Sequence, residues 1–284
     1  MSGSSIRYFP KKSFPGLSSS TLKIIAIVTM FIDHFTVVFE DVLDAHFPFL
    51  IMDNGLNVLR AVGRVAFPLF AFMIAEGAVR THSRGRYLLR LGLFALVSEV
   101  PFDLALYGIA PRNLLTVEAF SHQNVFFTLF LGLLSIIVLD AFEKIRLAPL
   151  GFAFVLFAGF AAEAILATDY GAMGVFVIFF FYLLLKAPTG VRIAGVIVAC
   201  LALTVMFSFT PEMQTVNYVS GRIGHRFVLN VSALYNSYEF CAIFASPLIL
   251  LYNGEKGVKL NKFFFYGFYP GHLAALWGIS LLVH

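Results

Sequence analysis

The sequence predicts an all-α, polytopic membrane protein with about nine transmembrane helices and a cytoplasmic N-terminus. Three observations predict it. Apolar runs of bilayer-crossing length recur along the whole 284-residue chain, and each crossing helix needs about 20 mostly apolar residues. The chain is 60% hydrophobic and 13% charged, with 34 Phe, whereas a soluble domain carries about 25% charged residues. Lys and Arg also alternate between successive loops, which is how helical membrane proteins mark their inner side. A β-barrel would instead show short segments of alternating polarity, and none is visible.

The elements follow in order. Residues 1–21 are polar and Ser-rich, with Lys11 and Lys12, and read as a cytoplasmic segment. They resemble the basic start of a signal peptide. The run behind them is too long for one, contains Asp33 and His34, and lacks a small-residue cleavage site, so 22–39 reads as a retained first helix. Further helices are predicted at 59–79, 87–107, 124–141, 148–167, 170–185, 191–209, 236–252 and 263–283. Only Thr168 and Asp169 separate the fifth from the sixth, which makes that pair a tight hairpin. The longest stretch between helices, 210–235, contains Thr210-Pro211 and Ser220-Gly221 and reads as an extracytoplasmic loop. Neither a solenoid repeat nor an inverted duplication is visible, and no central helix reads as broken, so 1–284 is taken as one domain. Cys200 and Cys241 both fall in apolar runs and predict no disulfide framework.

Orientation follows from the cations. With the N-terminus inside, the inner loops hold Arg7, Lys11, Lys12, Lys23, Arg80, Arg84, Arg86, Arg90, Lys144, Arg146, Lys186, Arg192, Lys256, Lys259 and Lys262. The outer loops hold Arg60, Arg64, Arg112, Arg222 and Arg226. The division is 15 to 5 of the 20 Lys and Arg, and the reverse orientation would invert it. The net charge of +4 therefore reads as topology, and nucleic acid is not an expected partner.

A charge in mid-bilayer costs a few kcal/mol, about 2.5–3.5 on insertion scales, so such residues face the bundle interior. Counting about 1.5 Å per residue puts His34 roughly 7–8 Å in from the outer end of the first helix, with Arg64 at the same depth on the second. Glu99 and Asp103 share a face of the third helix, where either can neutralise Arg64. Asn124 and Thr128 open the fourth helix at that level. Glu163 and Glu239 also fall in the outer half, and His272 lies nearer the midplane. Most of the buried polar groups thus share one layer, which predicts one site. Asp33-His34 is its sharpest element, because a histidine titrates near neutrality and a carboxylate can orient it as a base. Adjacent helical residues point about 100° apart. That leaves open whether Asp33 serves His34 or pairs with Arg60 or Arg64. No HExxH spacing or Cys/His cluster predicts a metal. Glu76 and Arg80, four apart, read as a helix ion pair.

The inner loop between the second and third helices carries Arg80, Arg84, Arg86 and, just beyond Tyr87, Arg90. Arginine forks suit phosphate, so this loop is a candidate site for a phosphate-rich soluble donor, or equally an anchor at anionic lipid headgroups. The aromatic residues from Phe263 to Tyr269 read as packing for the last helix and its interface.

The stretches LKIIAIVTMFIDH (22–34), LRAVGRVAFPLFAFMIAEGAVRTHSRGRYLLRL (59–91), VSEVPFDL (97–104), NVFFTLFLGLL (124–134), DYGAMGV (169–175) and YNGEKGVKLNKFFFYGFYPGHL (252–273) resemble the TraX family from end to end, in the family's order. The pattern is least similar over 35–58, 105–123 and 186–235. The resemblance implies an acetyltransferase in a bacterial-type cytoplasmic membrane. The donor would be cytoplasmic acetyl-CoA, and the acceptor extracytoplasmic: a pilin-like N-terminal amine, or a cell-surface glycan or lipid. It implies His34 as base or transient acyl carrier and Asp33 as its companion. The polar layer of Arg60, Arg64, Glu99, Asp103, Asn124, Thr128 and His272 becomes the oxyanion and acceptor site. Arg80, Arg84, Arg86, Tyr87 and Arg90 become the donor site. Two other classes stay open on the residues alone. A proton-coupled transporter would use the same buried acids and histidines as a relay. A non-catalytic pilus or membrane assembly factor would need no His34 chemistry.

Overall fold

The structure, a computed structural model, describes residues 16–51, 57–114, 116, 122–208, 238–259 and 261–283. Among these there is no β-strand, only isolated bridges such as Leu17 to Tyr252 and Gln123 to Thr168. The helices are α1 (Ser19–Val38), α2 (Glu40–His46), α3 (Val58–Gly63), α4 (Ala66–Arg80), α5 (Arg84–Leu106), α6 (Val125–Lys144), α7 (Ala148–Phe160), α8 (Gly171–Lys186), α9 (Thr189–Ser208), α10 (Ala245–Leu250) and α11 (Lys262–Val283). Each of the nine predicted segments contains helix. Four helical stretches are long and apolar enough to cross a membrane: Ser19–Val38, Val58–Arg80, Val125–Lys144 and Ala148–Ile165.

Three of the predicted helices are not single α-helices. The second, expected as one run over 59–79, breaks at Arg64-Val65 into α3 and α4. The reason is Pro68. Its ring nitrogen has no hydrogen for the Arg64 carbonyl four residues back, and its ring crowds that carbonyl. The fifth ends in a π-helical turn over Ala161–Ile165. The eighth begins as a 3-10 segment, Tyr238–Phe244, before α10. The expectation of unbroken central helices is thereby corrected. The predicted loop 210–235, with Arg222 and Arg226, lies outside the described residues, as do residues 1–15.

α4, α6 and α8 pack on one another at the centre, where Leu69, Phe72, Leu133, Ile136, Ile178 and Phe181 are all buried. α1 packs on α3 and α4, α5 on α6 and α11, and α7 and α9 on α8. Close approach depends on small residues, as in other membrane bundles. A Cβ at Gly132 would lie 2.9 Å from Ile178 Cγ2, and one at Gly63 would lie 2.6 Å from Asp33 Cγ. The outward faces stay apolar: Leu96 and Leu156 are each 66% exposed, which suits hydrocarbon and not water.

The loops sort to two ends. At one, Ser19 and Ser20 donate backbone N–H groups to the Glu255 and Lys256 carbonyls, at 2.8 and 3.1 Å. Arg80 Nη2 reaches the Gly254 carbonyl at 2.5 Å, and Arg84 and Lys186 both meet Asp140. At the other, Gln123 donates its backbone N–H to the Ala167 carbonyl at 3.1 Å and its carbonyl accepts the Asp169 N–H at 2.9 Å, joining the α5–α6 and α7–α8 connections. The predicted inner loops thus share one end of the bundle.

Candidate functional site

α1 places Asp33 and His34 on adjacent faces, and each finds a different partner. Asp33 faces α3. Arg60 Nη1 lies 2.8 Å from Asp33 Oδ1, and Arg64 Nη2 donates to Oδ2. Gly63 permits this, since a side chain there would occupy the place of the Asp33 carboxylate. Arg64 sits at the helix break and reaches the other way as well, with Nη1 2.7 Å from Glu239 Oε1. One guanidinium therefore bridges α1 and the Tyr238–Phe244 segment. Its Nε–H is buried and has no hydrogen-bond partner among the described residues.

His34 faces α11. Its Nδ1 lies 2.7 Å from His272 Nε2, and His272 Nδ1 lies 2.7 Å from the Phe268 carbonyl. Tyr269 meets the His34 ring edge-on, with centroids 5.7 Å apart. His34 Nε2 has no hydrogen-bond partner among the described residues.

Asp33, His34, Arg60 and Arg64 line one cavity of about 270 Å³. Its other walls are the aromatic residues Phe67, Phe70, Phe102, Tyr107, Tyr170 and Tyr269, together with Asp169. Tyr170 stacks on Phe67 at 3.6 Å, which fixes the turn that presents Asp169. Asp169 and Tyr170 line the cavity, whereas the sequence places Asp169 in the hairpin connection and Tyr170 at the start of the sixth helix. The signal was present: a polar pair interrupting two apolar runs at the level of the His34 layer.

The remaining predicted site residues go elsewhere. Glu99 and Asp103 do not neutralise Arg64; Asp33 and Glu239 do. Glu99 accepts instead from the Asn124 side chain. Asn124 also donates to the Ala95 carbonyl at 2.8 Å and caps α6 through the Phe126 N–H at 3.0 Å. Thr128 donates to Thr168 at 2.9 Å. Asp103 is buried at 2% exposure on α5. None of these four lines the cavity. Glu99, Asn124 and Thr128 tie α5, α6 and the α7–α8 turn together around it. Glu163 is exposed and accepts the Ala172 N–H at 3.0 Å, from the π-turn onto the first turn of α8.

The arginine loop divides in the same way. Arg80 pairs with Glu76 at 2.5 Å, and Glu76 also accepts the Tyr252 hydroxyl at 2.5 Å. Arg84 is held by Asp140 and by the Ala78 carbonyl. Arg86 is exposed, its Nε 3.0 Å from Ser83 Oγ. Tyr87 packs on Gly77, and Arg90 lies over the rings of Tyr87 and Tyr266, 5.7 and 5.9 Å from their centroids. From Tyr266 a seam of rings continues through Phe126 and Tyr269 to His34, with successive centroids 6.3, 5.2 and 5.7 Å apart. Among the described residues no cluster of His, Cys, Asp and Glu could hold a metal ion.

Residues 18–280 match the TraX protein family. The chain belongs to the TraX family. It is similar to a protein of Dichelobacter nodosus described as a probable fimbrial assembly protein FimC, serogroup H1. The two are 28% identical over 270 residues, covering 91% of this chain and 94% of that protein. No solved structure matches. The TraX match takes in the cavity, the His34–His272 pair and the arginine loop alike.

Proposed function

We propose that this TraX protein is a membrane-embedded acetyltransferase that carries an acetyl group from cytoplasmic acetyl-CoA to an extracytoplasmic acceptor, through nine crossings with the N-terminus inside. One observation carries the reading: a histidine with an unpartnered ring nitrogen shares a cavity with an arginine that has a spare N–H. That is the equipment of acyl transfer, a base beside an oxyanion donor. The acceptor amine or hydroxyl attacks the thioester carbonyl and its proton passes to His34 Nε2. The carbonyl oxygen gains negative charge, which the Arg64 Nε–H stabilises. The C–S bond then breaks, and the CoA sulfur leaves with the proton that His34 returns. A route through an acetyl-His34 intermediate uses the same nitrogen.

Asp33 acts in this scheme on Arg60 and Arg64, fixing the guanidiniums rather than the imidazole. The donor's phosphates fit Arg86 best, since Arg80 and Arg84 already hold carboxylates. In this reading the pantetheine arm follows the ring seam from Arg90 along α11 to His34. The alternation of cations and the gathering of inner loops at one end support the nine-crossing topology.

The test is thermal stabilisation of the purified protein by acetyl-CoA, with His34→Ala alongside, because ligand bound only to the folded state raises its stability. Stabilisation of both proteins is expected. Stabilisation of neither at millimolar ligand overturns the donor site. The description of the Dichelobacter protein as a fimbrial assembly protein favours a second reading, an assembly factor without chemistry, under which His34→Ala leaves fimbrial assembly intact.

A further inference from the structure

The contacts of His272 determine which nitrogen of His34 carries hydrogen. His272 Nδ1 lies 2.7 Å from the Phe268 carbonyl oxygen. A carbonyl can only accept, so the hydrogen belongs to His272 Nδ1. In a neutral ring the other nitrogen, Nε2, is then a bare acceptor. The atom facing it at 2.7 Å is His34 Nδ1, which must supply the hydrogen of that bond. The rings are 4° from parallel with centroids 5.0 Å apart. With a nitrogen–nitrogen distance of 2.7 Å, they meet edge to edge along the bond and not face to face. Both residues are buried, at 9% and 6% exposure, so water competes weakly for either ring. His34 Nε2 keeps its lone pair.

We propose that His272 is a positioning residue that holds His34 as the Nδ1–H tautomer and accepts the displaced proton by relay. The proposal rests on the acyl-transfer reading for its chemical use, though not for its geometry. When the acceptor X–H bond breaks, its proton joins His34 Nε2. The Nδ1 hydrogen of His34 moves to His272 Nε2, leaving His34 neutral and His272 cationic. The reason is electrostatic. His34 lines the same cavity as Arg60 and Arg64, whose guanidiniums disfavour a cation on its ring even with Asp33 and Glu239 paired to them. His272 does not line that cavity, and its Nδ1–H points at a carbonyl oxygen that favours positive charge. On collapse of the tetrahedral species the sequence reverses: His272 Nε2 returns its proton to His34 Nδ1, and His34 Nε2 delivers its own to the departing sulfur. No net proton is gained or lost by the pair.

The experiment is nitrogen-15 NMR of histidine-labelled protein in nanodiscs, with His34→Asn used to assign the signals, beside acetyl-transfer kinetics. In the wild type, His34 Nε2 should show the shift of an unprotonated nitrogen and Nδ1 that of a protonated one. His272→Phe should lose this fixed tautomer and lower kcat about 100-fold with little change in KM, as loss of a base's orienting partner does. His272→Gln should restore the tautomer, because its amide oxygen accepts from Nδ1–H, but recover only part of kcat, because an amide oxygen does not store the proton. A protonated Nε2 in the wild type, or a tautomer unchanged in His272→Phe, overturns the proposal. The NMR result needs no turnover. A correct tautomer in a protein that transfers no acetyl therefore condemns the acyl-transfer reading and not the pair.

Discussion

Arg64 divides one guanidinium between Asp33 and Glu239, and so holds α1 and the Tyr238–Phe244 segment together. Removing it breaks two largely buried ion pairs and leaves Asp33 to Arg60, a loss of about 3–5 kcal/mol where such networks are broken. Arg64→Ala should therefore lower the melting temperature sharply. Arg64→Lys should recover only part of it, because an ammonium cannot make the same fork. Double-mutant cycles with Asp33→Asn measure the coupling. Glu76→Gln should be milder, about 1–2 kcal/mol, since the amide oxygen still accepts from Tyr252 while Arg80 loses its charge partner. Acetyl transfer per folded molecule should stay unchanged, and full stability with lost turnover would move Glu76 into the chemistry. The polar layer was legible at this scale because charged side chains stand out in apolar runs. The partners were not. Depth along a helix gives a level but no azimuth, so Glu99 and Asp103 were as plausible for Arg64 as Glu239. Spacing also cannot show that His34 turns toward α11 and Asp33 toward α3.

At the scale of elements, the gap between α3 and α4 places Arg64 where it can reach two neighbours at once. Pro68→Ala should restore the missing N–H to the Arg64 carbonyl and join the two helices. The expected result is higher thermal stability with lower acetyl transfer; a gain in both would show that the break has no bearing on the site. Gly63→Ala should act in the opposite sense. Its methyl group meets the Asp33 side chain close to the α1 backbone, where little can yield. A cost of about 1–3 kcal/mol is expected from overpacking, read by thermal shift. The helices themselves were legible from run length and composition, and α1, α6 and α8 lie close to their predicted spans. The break was missed because the run from Val65 to Ala75 is apolar throughout, which masks what Pro68 does to the backbone.

For the whole molecule, the alternation of Lys and Arg assigns the inner loops to one side, and Arg80, Arg84, Asp140, Lys186 and Gly254 do lie at one end of the bundle. Cysteine labelling extends this. Arg86→Cys should react only from the cytoplasmic side and Arg112→Cys only from the outside; labelling of both from one side contradicts nine crossings. What composition could not supply was the assembly of distant segments into one cavity. Residues 33, 64, 169 and 269 meet only through the packing of α1, α4, α8 and α11. The most direct measurement of the central claim is acetyl transfer itself. Native membranes carrying either the wild type or His34→Ala at equal abundance would be supplied with acetyl-labelled acetyl-CoA on the cytoplasmic face. Label bound to an acceptor exposed on the opposite face is expected with the wild type, and none with His34→Ala. Label that appears equally in both, or in neither, contradicts that claim.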